Sequence, residues 1–343
     1  MKQSNNMNLK TIADRAGVST ATVSNVINGN YHKVSEKTVE KVNQIIEDLN
    51  YSPNAAARSL VSNESKIIVL LVPNMMVEGG FGVDPYATQM ISNLEQIIRN
   101  QGYFMMLQSV NRVSDIIQLV HTWNADGIII LGAYSEEVEE IGNQLDNIPV
   151  VYTDTYSPSI PITNVGIDDY KGGYLSAKYL LDKGHRKIAF IGPDTESSAV
   201  ISQRFRGYKA AMEEYGLSVD QEDIFFAETT IEDGVEIAKA LAASDRDYTA
   251  ASVMSDTIAV GLCSELQNLG YNIPEDISVI GFDDIKASSF IHPALTTVGQ
   301  NLNEKASLVG KHLFEMIRTR KFNPVNEIMD VKIIERQSVR ELS

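Results

Sequence analysis

Residues 9–28 decide the fold of the N-terminal part of the chain, and they read Leu-Lys-Thr-Ile-Ala-Asp-Arg-Ala-Gly-Val-Ser-Thr-Ala-Thr-Val-Ser-Asn-Val-Ile-Asn. The spacing of the apolar residues predicts two short helices joined by a tight turn. Gly17 stands where a helix exit favours a residue that tolerates a positive φ, and Ser19 is a good N-cap for the second helix. The outer face of the second helix carries small, mostly hydrogen-bonding side chains, namely Thr20, Ala21, Ser24, Asn25 and Asn28.

Such a face can lie in a major groove and contact base edges, although an ordinary pair of helices with a polar surface has the same pattern. Residues 36–49 favour the first interpretation, because they predict a third helix with apolar residues at helical spacing: Val39, Val42, Ile45, Ile46 and Leu49. Three helices of this kind can close a small core. The pattern therefore indicates a helix-turn-helix headpiece.

A short helix is predicted after the headpiece, where residues 50–60 read Asn-Tyr-Ser-Pro-Asn-Ala-Ala-Ala-Arg-Ser-Leu. Pro53 and Asn54 suit a helix start, and the alanines favour the helix. A helix of about two turns is too short to be stable alone in water. It needs a partner or a DNA surface to become ordered.

The run from Thr11-Ile-Ala-Asp through Ala16-Gly-Val-Ser and Thr22-Val-Ser to Tyr51-Ser-Pro-Asn and Ala57-Arg-Ser-Leu60 resembles the headpiece and hinge helix of the LacI/GalR (lactose-repressor/purine-repressor) family of bacterial transcriptional regulators. The resemblance implies a homodimer on a pseudo-palindromic operator. Together with helix position, it implies base readout by Thr20, Ala21 and Asn25, and phosphate contacts by Ser19, Ser24, Asn28 and Tyr51. It implies minor-groove contact by the hinge residues Ala57, Arg58 and Leu60, with Leu60 as an apolar wedge or as packing between two hinge helices.

Charge is distributed unevenly along the chain. The 343 residues carry a net charge of −16, but residues 1–62 hold seven basic and five acidic residues. A mildly basic headpiece on an acidic body leaves the headpiece alone to engage phosphate. Its excess of two positive charges is small, so two headpieces are expected to act together.

From residue 65 onward, buried strands alternate with amphipathic helices in two consecutive sets, which predicts two doubly wound parallel-sheet subdomains. With the family resemblance, the expected architecture is an all-α headpiece followed by two subdomains of periplasmic-binding-protein type I. The expected boundaries are a headpiece over 1–50, a hinge over 51–64 and a core over 65–343. Within the core, an N-subdomain of about 65–163 plus 293–322 joins a C-subdomain of about 164–292 plus 323–343, with crossings near Asn164, His292 and Phe322.

Ligands of such sheets bind at the carboxyl ends of the strands, in the cleft between subdomains. Asp154 and Asp283 follow predicted strands, and Arg204 begins a predicted helix, where the family places effector-binding residues. Carboxylates and a guanidinium suit a polyhydroxyl ligand, although an ion pair bridging the subdomains would use the same residue types. Tyr86 could stack on a sugar ring or be a half-buried core aromatic. Ser255, Asp256 and Gln300 are weaker effector-site candidates, and Asp256 suits a helix cap equally well.

The effector is expected to be a sugar or sugar derivative, with a purine or nucleoside corepressor as the alternative. Thr229 occupies the place where the purine repressor presents an aromatic, which removes a stacking partner for a flat base. Residues 75–84 are rich in glycine and longer than the usual loop, which predicts a lid or a reshaped pocket. Either sign of regulation is physically available, because only differential affinity for two states matters.

Other functions lack their expected sequence features. Five scattered histidines show no metal-ligand spacing, and neither a Walker A loop nor a Gly-x-Gly-x-x-Gly motif follows a strand. No catalytic residue and no cofactor is therefore predicted, which disfavours a sugar-processing enzyme. A secreted sugar-binding protein would require a signal peptide and no headpiece. The single cysteine, Cys263, and the short apolar runs predict a cytoplasmic protein without membrane contact.

Overall fold

The computed structural model of the chain describes residues 8–27, 29–49, 51, 64–73, 84–110, 113–133, 135–145, 147–157, 159–195 and 198–342. The chain divides into two compact units, Met1–Ser65 and Lys66–Ser343. Asn28 and the predicted hinge residues Ala57, Arg58 and Leu60 lie outside the described residues, as does the predicted loop from 75 through 83.

The first unit contains the predicted helix-turn-helix, with helices α1 (Leu9–Ala16), α2 (Thr20–Ile27) and α3 (Glu36–Asp48). Gly17 ends α1 in the left-handed conformation at φ 69°, which confirms the turn prediction. The Thr22 backbone N–H donates to Ser19 Oγ at 3.1 Å, so Ser19 caps α2. The helices enclose a small core whose buried side chains are Ile12, Ala13, Ala16, Val23, Val26 and Val42.

The second unit is built on two six-stranded sheets. The first sheet has the order β11-β5-β4-β3-β1-β2, all parallel, with β1 (Ile67–Pro73), β2 (Phe104–Val110), β3 (Gly127–Leu131), β4 (Val150–Thr153), β5 (Asn164–Ile167) and β11 (Asn326–Met329). Its helices are α4 (Pro85–Asn100), α5 (Val113–Trp123), α6 (Ser135–Gln144) and α11 (Leu302–Thr319). Apolar clusters cover both faces of this sheet, and its central strands β1 and β3 are nearly continuous hydrophobic runs, as is typical of buried parallel strands.

The second sheet has the order β12-β10-β9-β8-β6-β7, in which only β12 is antiparallel to its neighbour. Its strands are β6 (Ile188–Gly192), β7 (Ile224–Phe226), β8 (Ala250–Val253), β9 (Ser278–Asp283), β10 (Thr296–Gly299) and β12 (Lys332–Ile334). Its helices are α7 (Asp169–Asp182), α8 (Ala199–Glu214), α9 (Ile231–Ala242) and α10 (Asp256–Asn268). The expected fold of two doubly wound subdomains is confirmed.

The chain crosses between the two sheets later than the sequence analysis expected. β5 belongs to the first sheet, β10 to the second and β11 to the first, so the crossings fall at residue 168, at 300–301 and at 330–331 rather than near Asn164, His292 and Phe322. The expected positions were wrong because Asn, Gly, Thr or Glu interrupts the apolar residues of these three short strands, so no apolar run marks the strand before each crossing. No helix within the described ranges is long and apolar enough to cross a membrane.

Candidate functional site

The backbone is unusual at two strand ends that the sequence analysis selected. Asp154 directly follows β4 and has φ 48°, and Asp283 is the last residue of β9 and has φ 111°. Positive φ is uncommon for residues other than glycine, and such strain concentrates at functional sites. Asp154 extends from the first sheet and Asp283 from the second, so each sheet contributes one carboxyl group.

A continuous chain of hydrogen bonds joins these two carboxyl groups. Tyr86 OH, from the first turn of α4, donates to Asp154 Oδ2 at 2.6 Å. Lys305 Nζ, from α11, donates to both oxygens of Asp154 at 2.6 Å and to Gln300 Oε1 at 2.9 Å. Gln300 Nε2 then donates to Asp283 Oδ1 at 2.8 Å. The structure therefore brings together four predicted site residues, Tyr86, Asp154, Asp283 and Gln300, through Lys305.

Arg204 is held beside this chain from the second subdomain. Its Nε donates to Asp169 Oδ1 at 2.8 Å, and its Nη1 donates to the Met254 carbonyl at 2.8 Å. Its guanidinium lies 3.6 Å from the centre of the Phe282 ring, within the range of a cation–π contact. Tyr156 OH donates to the other oxygen of Asp169 at 2.9 Å. Arg204 is thus fixed on three sides by Asp169, Met254 and Phe282.

Two glycines permit the helix pair that carries Arg204. A Cβ at Gly173 of α7 would lie 1.8 Å from the Arg204 carbonyl oxygen, and one at Gly207 of α8 would lie 1.9 Å from the Tyr170 carbonyl oxygen. No side chain can fit there, so the two helices touch backbone to backbone. This contact sets the distance between Arg204 on α8 and Asp169 at the start of α7.

The residues of the hydrogen-bonded chain and those around Arg204 are called the cluster below, namely Tyr86, Asp154, Tyr156, Asp169, Arg204, Asp283, Gln300 and Lys305. Burial controls the protonation of this cluster. Burial raises the pKa of Asp283 to about 8, with Arg204 acting in the opposite direction and Asp256 adding to the rise. Burial also raises the pKa of Asp169, against the lowering effect of the Arg204 charge. The pKa of Tyr86 is raised by burial and then by the Asp154 charge, so its hydroxyl stays a donor. At neutral pH, the Asp283 carboxyl group therefore carries a proton that it can donate.

Ser255 and Asp256 lie apart from this hydrogen-bonded chain. Ser255 caps α10 by accepting from the Thr257 backbone N–H at 3.2 Å. Asp256 is fully buried and accepts from Ser288 Oγ at 2.6 Å, Thr297 Oγ1 at 2.7 Å and the Ile285 backbone N–H at 3.0 Å. Asp256 therefore joins β10 to the segment after β9, and the structure does not bring it together with Asp154 and Arg204.

Three residues of the cluster were missed by the sequence analysis, namely Lys305, Asp169 and Tyr156. Lys305 occupies an apolar stripe of α11, where its type alone suggests a solvent-exposed side chain. Asp169 stands next to the helix cap Asp168, so it resembles an ordinary first-turn acid. Asp169 follows the crossing at residue 168, and its contacts with Arg204 and Tyr156 appear only in the folded chain. Among the described residues, no group of His, Cys, Asp and Glu side chains is arranged to hold a metal ion.

In the headpiece, the predicted base-reading face of α2 is accessible. Ser19, Thr20 and Ala21 are exposed, and Ser24 and Asn25 are partly exposed, while Val23 and Val26 of the same helix are buried. Tyr51 packs partly against the headpiece core, and its backbone N–H donates to the Ile46 carbonyl at 3.0 Å. The helix therefore presents small polar groups outward and its apolar groups inward, as major-groove readout requires.

Comparison with known proteins agrees with both units. Residues 8–54 match the family described as bacterial regulatory proteins, lacI family, and residues 177–339 match a periplasmic binding protein-like domain. The HTH-type transcriptional repressor PurR of Vibrio atlanticus is 34% identical over 344 residues, covering 98% of this chain and 99% of the relative.

Two solved structures share the fold over most of the chain. The lac repressor dimer bound to operator and the anti-inducer ONPF is 24% identical, with a TM-score of 0.85 over 97% of this chain and 99% of that one. A LacI family regulator from Enterococcus faecium with bound ribose is 26% identical, with a TM-score of 0.71 over 81% of this chain and 100% of that one. The chain belongs to the lacI family of bacterial regulatory proteins and is a DNA-binding transcriptional repressor.

Proposed function

We propose that this repressor is controlled by a neutral, polyhydroxylated effector, a sugar or close derivative, bound between its two sheets. The observation that carries the proposal is the hydrogen-bonded chain from Asp154 to Asp283, because it joins polar groups of both subdomains in the cleft. A ligand that replaces part of this chain of hydrogen bonds would change the distance or angle between the two subdomains. The effector would then change the geometry presented to DNA.

The order of donors and acceptors favours hydroxyl groups. Asp154 and Asp169 accept, protonated Asp283 and Arg204 donate, and Gln300 does both. A hydroxyl group also donates and accepts, so vicinal hydroxyls can satisfy neighbouring members of such a set. The ribose bound to the related Enterococcus faecium regulator supports a carbohydrate ligand at 26% identity.

The charges of the cluster disfavour a phosphorylated ligand. The two cations, Arg204 and Lys305, are already paired with the carboxyl groups of Asp169 and Asp154, so neither positive charge is left over for a phosphate. A phosphate would bring about two further negative charges beside these carboxyl groups. We therefore expect neutral sugars to bind in preference to their phosphates.

A purine or nucleoside acting as a corepressor is the second candidate. It is supported by the 34% identity to repressors named PurR. Against it, the buried Phe282 ring is covered by Arg204, and Thr229 supplies no aromatic surface. Among the described residues of the cluster, Tyr86 and Tyr156 carry the other aromatic rings that could stack on a base. Both rings are partly buried, and both hydroxyl groups donate to aspartate side chains.

On DNA, we propose a homodimer on a pseudo-palindromic operator, acting in the cytoplasm. Thr20, Ala21 and Asn25 would read bases, and Ser19, Ser24, Asn28 and Tyr51 would contact phosphates. Ala57, Arg58 and Leu60 would engage the minor groove, and α4 with the C-subdomain would form the dimer interface. Exposed apolar side chains in the second subdomain support such an interface, namely Phe226, Ile231, Leu269 and Phe290.

The test is a thermal-shift screen of neutral sugars, sugar phosphates and purines on the wild type and two variants. Arg204→Met removes the buried guanidinium, whereas Arg206→Met removes an exposed one from the same helix. We expect a neutral sugar to raise the melting temperature of the wild type and Arg206→Met but not of Arg204→Met. Stabilisation by purines alone would contradict a sugar effector. Product detected in a separate turnover assay with any of these ligands would contradict a purely binding role.

The sign of regulation follows from the same ligand. The full-length protein is titrated onto an operator selected from random DNA, with and without the stabilising sugar, and binding is followed by fluorescence anisotropy. Weaker operator binding identifies an inducer and tighter binding a corepressor.

A further inference from the structure

Lys305 occupies a position where a charged side chain is unexpected. Its side chain is 0% exposed, and its neighbours on α11, Leu302, Ala306 and Val309, belong to the apolar core of the first subdomain. A buried ammonium is costly unless it is paired and hydrogen-bonded. The position therefore requires a binding site for the ammonium inside the protein.

That site is complete. An ammonium has three donor hydrogens. Lys305 Nζ finds acceptors on three residues: both oxygens of Asp154 at 2.6 Å, Gln300 Oε1 at 2.9 Å and Tyr86 OH at 3.1 Å. The nitrogen also lies 5.5 Å from the centre of the Tyr86 ring, within the range of a cation–π contact. One carboxylate, one amide oxygen and one phenol thus form a cage for a primary ammonium.

The cage is not sealed within the core. The Asp154 side chain is 18% exposed, and the hydrogen bonds continue from Gln300 to Asp283 of the other subdomain. A ligand that reaches Asp154 therefore meets a carboxylate whose cation is already supplied by the protein.

We infer that Asp154, Tyr86 and Gln300 form an ammonium-binding subsite of the cleft, which Lys305 fills from within, and that Lys305 is thereby a specificity-determining residue. An amino group of a ligand is refused there because the protein's own ammonium occupies its place. A neutral hydroxyl is admitted, since it can accept from Lys305 or donate to Asp154. The statement about ligand choice rests on the proposed function, whereas the existence of the subsite does not.

The subsite is tested first without any effector. Lys305→Ala removes three methylene groups and the ammonium, and these atoms correspond to propylammonium. The probe is n-propylammonium chloride, compared with equal concentrations of sodium chloride and 1-propanol. We expect propylammonium to raise the melting temperature of Lys305→Ala by about 2–4 °C when it is near ten times its dissociation constant.

Three controls make this result specific. The wild type and Lys311→Ala, which removes an exposed lysine from the same helix, are expected to show no such rise. Lys305→Ala combined with Asp154→Asn is expected to lose it. If Lys305→Ala does not fold alone, refolding in propylammonium but not in propanol gives the same answer. An equal response to propanol, or a response that survives Asp154→Asn, overturns the subsite.

Ligand choice is tested next, with glucose, galactose and mannose against their 2-amino derivatives. We expect the ratio of amino-sugar to neutral-sugar affinity to rise at least about tenfold in Lys305→Ala relative to the wild type and Lys311→Ala. An unchanged ratio overturns the specificity role of Lys305. The same screen includes sugar phosphates and purines. If no neutral sugar stabilises the wild type, that result contradicts the proposed function and does not affect the propylammonium result.

Discussion

Gly173→Ala is expected to weaken effector binding although residue 173 carries no group that a ligand could contact. The added methyl carbon would lie 1.8 Å from the Arg204 carbonyl oxygen. Carbon and oxygen do not approach within about 3.0 Å, so α7 and α8 must separate by roughly 1.2 Å. Arg204 moves with α8, while Asp169 stays with α7.

The separation of the two helices breaks the contact between Arg204 and Asp169. Its Nε lies 2.8 Å from Asp169 Oδ1, and a shift of roughly 1.2 Å along that direction opens the pair to about 4 Å, outside hydrogen-bonding range. A hydrogen bond between charged groups contributes about 1.5–3 kcal/mol, which corresponds to roughly a 10- to 100-fold loss of affinity if Arg204 no longer reaches the ligand. The overpacking itself should cost about 1–3 kcal/mol of stability.

The assay compares Gly173→Ala with Gly261→Ala. A methyl carbon at Gly261 of α10 would lie 2.0 Å from the Ile231 carbonyl oxygen of α9, so the steric conflict is nearly the same. That second helix pair carries neither Arg204 nor Asp169. Urea unfolding measures the stability of both variants, and calorimetric titration measures their affinity for the sugar that stabilises the wild type.

We expect both variants to lose similar stability and only Gly173→Ala to lose affinity. Equal losses of affinity would show that general loosening, and not the placement of Arg204, is responsible. An unchanged affinity in Gly173→Ala, with its stability lowered as expected, would refute the argument that the backbone contact positions Arg204.

Two further predictions concern protonation and DNA. Burial raises the pKa of Asp283 from 3.8 to about 8, so the folded state holds a proton that the unfolded state releases. The contribution of this group to the free energy of unfolding is therefore complete below about pH 4 and is lost as pH rises toward 8, at no more than about 1.4 kcal/mol per pH unit. Asp283→Asn should reduce this pH dependence when urea unfolding is measured at several pH values. An unchanged pH dependence would contradict the assignment. Asn25→Ala should cost about 1–3 kcal/mol of specific operator binding, leaving non-specific binding and the salt dependence unchanged, because Asn25 is predicted to contact a base and not a phosphate. A parallel loss of specific and non-specific binding in an anisotropy assay would count against base readout by Asn25.

Local patterns determined most of the fold. Gly17 and Ser19 define the turn of the headpiece through the chemistry of a few neighbouring residues, so their roles are predictable from the sequence alone. The long apolar runs of β1 and β3 and the stripe of α4 are equally clear. β5, β10 and β11 are not, because Asn, Gly, Thr or Glu interrupts the apolar residues of each strand. The expected crossings were displaced for that reason.

The candidate site was also only partly predictable from the sequence. Asp154 and Asp283 were predictable from their places at strand ends, together with the family resemblance. The prediction that Arg204 begins a helix was wrong, because α8 begins at Ala199 and Arg204 lies in its second turn. Asp256 also stands at such an end, but in the structure its oxygens accept from Ser288, Thr297 and Ile285. Which strand-end carboxyl group reaches the cleft depends on loop direction, and the sequence does not contain that in any local pattern.

Helix caps and apolar periodicity act over short distances along the chain, so the helix-turn-helix headpiece and the two-sheet body could be predicted from local patterns, and the family resemblance added the role of a repressor. The contacts of Lys305 with Asp154 and Gln300, and the approach of Arg204 to Asp169 that Gly173 permits, appear only in the folded chain. A buried charge is acceptable only where distant segments converge to solvate it. That convergence is a property of the packed chain and not of any stretch within it.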